Sequence, residues 1–185
     1  MIRRQSGDTL VEVLLGIVVL SVVVVGGISL MTFGLAQAQN AVEHTQVRTQ
    51  INSQSSALAY LRDDYTRQNR TPSAGSPGSV WKDILTNYVV NTAPTSKTDD
   101  CVPQNHPFYL KLDLAQTPSP ATIVTTFVPP TTYAQPGQGL WVEGYHAVGT
   151  SGQGYIDFVI RGCWSPSGSG PDQQEATIAR LYDGN

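Results

Sequence analysis

The chain reads as an α+β protein in which one long N-terminal helix, apolar in its first half and amphipathic in its second, packs on an antiparallel β-sheet head. Three observations predict that class. Residues 13–36 are 24 positions without a charge, and at a helical rise of about 1.5 Å each they make about 36 Å, enough to cross a bilayer. Between Ala36 and Thr71 there is no proline and no glycine, while apolar residues recur at three- and four-residue steps, so the helix continues past the apolar run. After Pro72 short β-branched or alternating runs are separated by Gly, Pro and Ser, the pattern of a loop-rich sheet.

Arg3 and Arg4 precede the apolar run, which holds the N-terminus on the cytoplasmic side and places the bulk of the chain outside. The run is too long for the apolar part of a cleaved secretory signal, about 7–15 residues, and Gly26, Gly27, Ser29 and Gly34 make no A-x-A pattern. A plain single-pass anchor fits the hydropathy but gives no role to Glu12. An acidic residue at a helix centre costs about 2.5–3.5 kcal/mol on insertion, and less near the end. A partner bringing positive charge to that depth is therefore expected. Gly26 and Gly27 each weaken the helix by about 1 kcal/mol relative to Ala; they mark a place for bending or local melting in an assembled state, or for close helix packing.

In the second half of the helix, Val42, Val47, Ile51, Ala57, Leu58, Leu61 and Tyr65 form an apolar stripe, with Glu43, Arg48, Gln50, Arg62, Asp63 and Arg67 on the opposite face. The helix is expected to end at 69–71, because Pro72 disfavours helix before it. Residues 73–79 read as a loop and 80–90 as a short helix, with apolar positions at 80, 81, 84, 85, 88 and 89. Strands are expected at 108–114, with Lys111 and Asp113 outward and Leu110, Leu112 and Leu114 inward, and at 122–128. The proline- and glycine-rich tract 129–139 reads as an exposed loop. Residues 140–148 and 154–164 form a hairpin around 149–153, and 176–182 is the last strand of a four- or five-stranded antiparallel sheet.

The net charge of −3 includes Arg3 and Arg4; without them nine basic side chains face fourteen acidic ones, a balance of −5. That argues against nonspecific nucleic-acid binding by the whole surface. Cys101 and Cys163 lie in the part placed outside the cytoplasm, where oxidation is favoured. A disulfide closing about 62 residues contributes about 4 kcal/mol in the chain-entropy model; two separate buried thiols are the alternative. No catalytic constellation, cofactor site or metal site is read. His44, His106 and His146 fall on helix, loop and strand, and each is better explained as a solvated or packed side chain. Asp99-Asp100 beside Asn105 is a weak calcium pattern, more commonly just hydrated carboxylates. The glycine-rich stretch 149–154 lacks the following helix that a phosphate cradle needs. Tyr133, Trp141, Tyr145, Tyr155 and Trp164 divide between core and surface.

The stretch Gly7-Asp8-Thr9-Leu10-Val11-Glu12-Val13-Leu14-Leu15 resembles the prepilin motif of type IV pilins and type II secretion pseudopilins: a short basic leader ending in Gly, then Thr-Leu-aliphatic-Glu, then a long apolar run. The resemblance implies a pilin-like fold, with residues 1–7 as leader peptide, 8–36 as the transmembrane and assembly half of the helix, and 37–185 as the head. It implies that a prepilin peptidase cuts between Gly7 and Asp8 and methylates the new amine of Asp8, so that Glu12 becomes the fifth residue. In that family this glutamate meets the N-terminal ammonium of a neighbouring subunit, a charge pair in low dielectric that selects register while apolar packing supplies most of the attraction.

The implied partners are other pilin subunits, the prepilin peptidase, an inner-membrane assembly platform, and the cytoplasmic membrane before export into an extracellular filament. Three features depart from the family pattern. Asp8 stands where Phe or Met is usual, and its own carboxylate competes for the same ammonium. The apolar half has no proline, and a Cys101–Cys163 bond would join the segment before the first strand to a central strand. The expected function is a non-enzymatic structural subunit, minor or tip-associated, of a type IV pilus-like filament. A type II secretion pseudopilin and an uncleaved single-pass surface adhesin are the alternatives.

Overall fold

Helix α1 runs without a break from Asp8 to Arg67 in a computed structural model that describes residues 8–91, 101–113, 121–127, 134–148, 154–166 and 171–182. The chain divides into two units, Met1–Ala41 and Val42–Asn185. In the first, every large apolar side chain from Leu10 to Leu35 is between 50% and 75% exposed, so its apolar surface has no cover within the chain. This is one helix long and apolar enough to cross a membrane. Its few hydroxyls are satisfied internally: Ser21 donates to the Ile17 carbonyl (2.7 Å), Ser29 to Val25 (2.9 Å) and Thr32 to Ser29 (2.9 Å). These three hydroxyl hydrogens are thereby turned onto the helix backbone rather than toward an apolar surround.

The second unit is a helix-on-sheet head, and its buried seam on α1 is Glu43, Val47, Ile51, Gln54, Ala57, Leu58 and Leu61, with Tyr65 partly covered. This corrects the expected stripe at one end. Val42 is 56% exposed and Glu43 is buried. At about 100° per residue, position 42 lies about 140° round from Val47, whereas 43 is a single turn back.

After α1, a turn at Gln68–Arg70 leads to α2, which spans Pro77–Asn87 rather than 80–90. Ser76 caps it, and Asp64 of α1 accepts from the Gly78 amide at 2.8 Å, placing a carboxylate at the helix start. Trp81 and Ile84 go into the core. The chain then enters β1, Val89–Val90, so the last two residues of the expected helix are strand.

The remaining strands are β2 (Tyr109–Leu112), β3 (Ala121–Val124), β4 (Gln135–Pro136), β5 (Gly139–Val148), β6 (Gly154–Trp164) and β7 (Gln173–Tyr182). The long strands β5, β6 and β7 form the expected antiparallel meander. Two corrections follow from its edges. β1 and β4 both pair with β5 in parallel, so the five-stranded sheet is mixed. Among the described residues β2 and β3 pair with each other, as a separate two-stranded sheet. Tract 129–139 is also more than an exposed loop: Ala134 is buried, and β4 puts its proline on a sheet edge, where a missing N–H is tolerated. Leu112, expected inward, is 41% exposed because it ends that short second sheet.

The core joins Val47, Ile51, Leu58 and Leu61 of α1 and Trp81 and Ile84 of α2 to Leu140, Val142, Ile156, Phe158 and Ile160 of the sheet. Period-2 alternation on β6 puts Ile156, Phe158 and Ile160 inward and Tyr155, Asp157, Val159 and Arg161 outward. Helix and sheet approach closely at Gly162, where an added Cβ would lie 2.6 Å from Val47 Cγ1. Along β7, Arg48 pairs with Glu175, and Arg62 donates from Nε and Nη2 to the Tyr182 carbonyl at 3.1 and 2.8 Å. Fourteen helical residues rise about 21 Å and seven strand residues about 23 Å, so the two clamps fit elements running side by side.

Gln54 does what no apolar residue could. Its amide nitrogen donates to the Leu110 carbonyl (2.9 Å) and its oxygen accepts from the Leu110 amide (2.8 Å), so one side chain on α1 acts as a strand partner for β2. Gln54→Leu is expected to lower the head's stability by about 1–3 kcal/mol, because it leaves two buried backbone groups unpaired. Asn52→Ala, on the exposed side, should stay within about 0.5 kcal/mol. Chemical denaturation of the two variants checks this, and equal midpoints would contradict it.

Candidate functional site

Two acidic positions stand out, one in each unit, and they are built differently. Glu12 lies one turn into α1 and is exposed. Asp8 and Glu12 are the only ionisable side chains in residues 8–42, and between Arg4 and Arg48 the sole side chain able to carry positive charge is His44. A carboxylate at this place therefore has no cation on its own helix within the membrane-length run. Helix-start dipoles favour it only weakly beyond the first turn. Gly7, the other side of the expected cleavage point, lies outside the described residues.

The second position is Glu143 on β5, 3% exposed. Alternation places Trp141, Glu143 and Tyr145 on the sheet face opposite Leu140 and Val142. Trp141 Nε1 donates to Glu143 Oε1 at 3.0 Å, and the Tyr145 hydroxyl donates to Oε2 at 2.7 Å. The Gln104 amide adds a bond to Oε1 at 2.8 Å, and Arg161 Nε, opposite Trp141 on β6, stands 3.9 Å from Oε2. Burial, with the hydrogen bond to Glu143 next, pushes the Tyr145 hydroxyl up to about 12. Sequence reasoning missed this cluster. The trace it leaves is the spacing i, i+2, i+4 of two donors around one carboxylate on a strand.

The expected bond between Cys101 and Cys163 is present, with Cα atoms 5.7 Å apart, and it ties the segment carrying Gln104 to β6. The three histidines are not brought together. His44 meets the Trp164 ring edge-on at 4.9 Å and lies 3.6 Å from Glu175, His106 Nδ1 is 3.0 Å from the Asn87 carbonyl, and His146 is on β5. Among the described residues no group of three His, Cys, Asp or Glu side chains is placed to hold a metal ion. Asp99 and Asp100 lie outside the described residues. A groove of about 380 Å³ between α2 and β3 is lined by Ser79, Asp83 and Tyr88 among others; the Ser79 hydroxyl there donates to the Ser76 carbonyl, and Asp83 accepts from Asn87. Of the aromatics, Trp141, Tyr145 and Trp164 are buried, Tyr155 is half-buried, and Tyr133 lies outside the described residues.

Comparison with protein-family models, with curated proteins and with solved structures finds no match to this chain.

The Tyr145 hydroxyl is held in its neutral form by the fold, so the stability this contributes is complete below pH 10 and is lost as pH rises through about 12. Urea denaturation of the wild type and Tyr145→Phe between pH 8 and 12 should show a steeper alkaline loss in the wild type. Parallel curves would contradict the assignment.

Proposed function

We propose that this chain is a structural subunit, minor or tip-associated, of a type IV pilus-like filament, held in a membrane by its apolar helix before assembly. The observation that carries the reading is Glu12: an acidic side chain five residues after Gly7, at the head of an uncharged run of membrane length. Every large side chain around it is apolar and uncovered within the chain. Burying those side chains against neighbouring copies is worth on the order of 1.5–3 kcal/mol each where the reference is water. Leaving a lipid bilayer for a helix bundle gains less, since lipid tails are as apolar as leucine. Apolar packing is also indifferent to sliding along the helix. A charge is not, and a buried one has a strong preference for a single opposite charge.

The amine freed by cutting between Gly7 and Asp8 supplies that charge on an adjacent copy or a companion subunit. Asp8 adds a second carboxylate beside the amine, which weakens pairing among like copies and favours a place at the end of a filament or among other subunits. The head adds a disulfide-closed, helix-clamped sheet to the outside of such a fibre.

Glu12→Val is expected to leave the amount of chain in the membrane fraction unchanged. Breaking a buried pair costs about 3–5 kcal/mol, so the variant's content in purified filaments should fall by more than about tenfold. Equal incorporation, read by immunoblot of sheared filaments, would contradict the charge-pair role.

A further inference from the structure

Residues 101–108 form a strap that starts on the outer face of the sheet and turns round the edge of β5 into the core. Its two ends are fixed by different means. Phe108 is fully buried and exchanges two backbone bonds with Val142, at 3.0 and 2.7 Å. Cys101 is held by its bond to Cys163, itself fully buried on β6. Between these ends the ties are polar: the Gln104 amide on Glu143 (2.8 Å), Asn105 Nδ2 near the Tyr145 hydroxyl (3.4 Å), and His106 Nδ1 at the Asn87 carbonyl (3.0 Å). The turn itself is made by Asn105 and His106 at φ of 50° and 56°, where L side chains are disfavoured and persist only when their surroundings hold them.

Glu143 accepts from two donors of its own strand whatever the strap does. Arg161 of β6 faces it at 3.9 Å, and the Gln104 amide is the donor that the strap brings when it is down. We propose that the strap is a lid set by the oxidation state of Cys101 and Cys163: bond formation closes it over Glu143, and in the dithiol form it lifts while the sheet stays folded. The head thus has two outer faces. The oxidised face is covered, whereas the reduced one presents Trp141, Glu143, Tyr145 and Arg161 to water.

The closing step is a thiol–disulfide exchange. One cysteine thiolate attacks the disulfide of an oxidant of the thiol–disulfide oxidoreductase class, and the second displaces it. Two electrons and two protons leave the chain, and the oxidant's disulfide becomes two thiols. Such oxidation belongs to compartments outside the cytoplasm, so closure is a maturation step of the exported head. The inference rests on the head's geometry and is independent of whether the chain enters a filament.

Amide hydrogen exchange on the full chain in detergent, oxidised and then reduced with a phosphine, tests it. On reduction the Gln104 amide should exchange about ten- to hundredfold faster, the range expected for losing a hydrogen bond to a charged acceptor, while the Ile160 amide in the centre of β6 keeps its protection. In the oxidised chain, Glu143→Gln should speed exchange at Gln104 several-fold with the disulfide intact. Unchanged Gln104 exchange in either experiment would overturn the proposal. So would an equal rise at Ile160 on reduction, which would make the bond a support of the whole head rather than a latch.

Discussion

A carboxylate inside an uncharged apolar helix is the constraint from which the rest of the account proceeds. Between Arg4 and Arg48 the sequence offers Glu12 no arginine or lysine, and His44 lies in the other unit of the chain. Apolar side chains on all sides of the helix can satisfy a membrane or a bundle of copies, but they cannot satisfy that one group. In the proposed filament the two demands are met together. The side chains supply undirected attraction, and the glutamate selects the arrangement in which an amine reaches it.

The head solves a related problem with different chemistry. Its seam on α1 contains two polar residues, Glu43 and Gln54, and the outer sheet face contains Glu143, all nearly inaccessible to water. Gln54 matches both backbone groups of Leu110, and Glu143 collects donors from Trp141, Tyr145 and Gln104. Where no side chain could fit, glycine stands: Gly162 lets Val47 settle on the sheet. Gln54 and Glu143, bonded through both ends of their side-chain heads, fix one arrangement of elements in a way that interchangeable Leu and Val contacts do not.

The features legible in the sequence are those that accumulate along the chain. The apolar run, the continuation of α1, the β5–β6 hairpin and β7 follow from hydropathy sums and period-2 alternation, and the Cys101–Cys163 bond follows from the presence of two cysteines beyond an apolar helix. What was missed depends on partners that only folding brings near. Glu43 looks like a surface residue until the phase of the seam is set by Val47. β1 and β4 are two residues each, too short for any period to show, and exist because the edge of β5 is open to them. The separate β2–β3 pair carries Gln54 on Leu110, and a helix side chain acting as a strand partner has no signature in helix periodicity. The motif around Gly7 and Glu12 is legible as a pattern, while the pairing proposed for it lies between chains.

Intact-mass analysis of the chain recovered from cells that possess prepilin-processing machinery tests the central claim most directly. A polypeptide that begins at Asp8 with one added methyl group on its amine is predicted, since that freed amine is the proposed partner of Glu12 on an adjoining copy. A mature chain that still carries its first seven residues would contradict it.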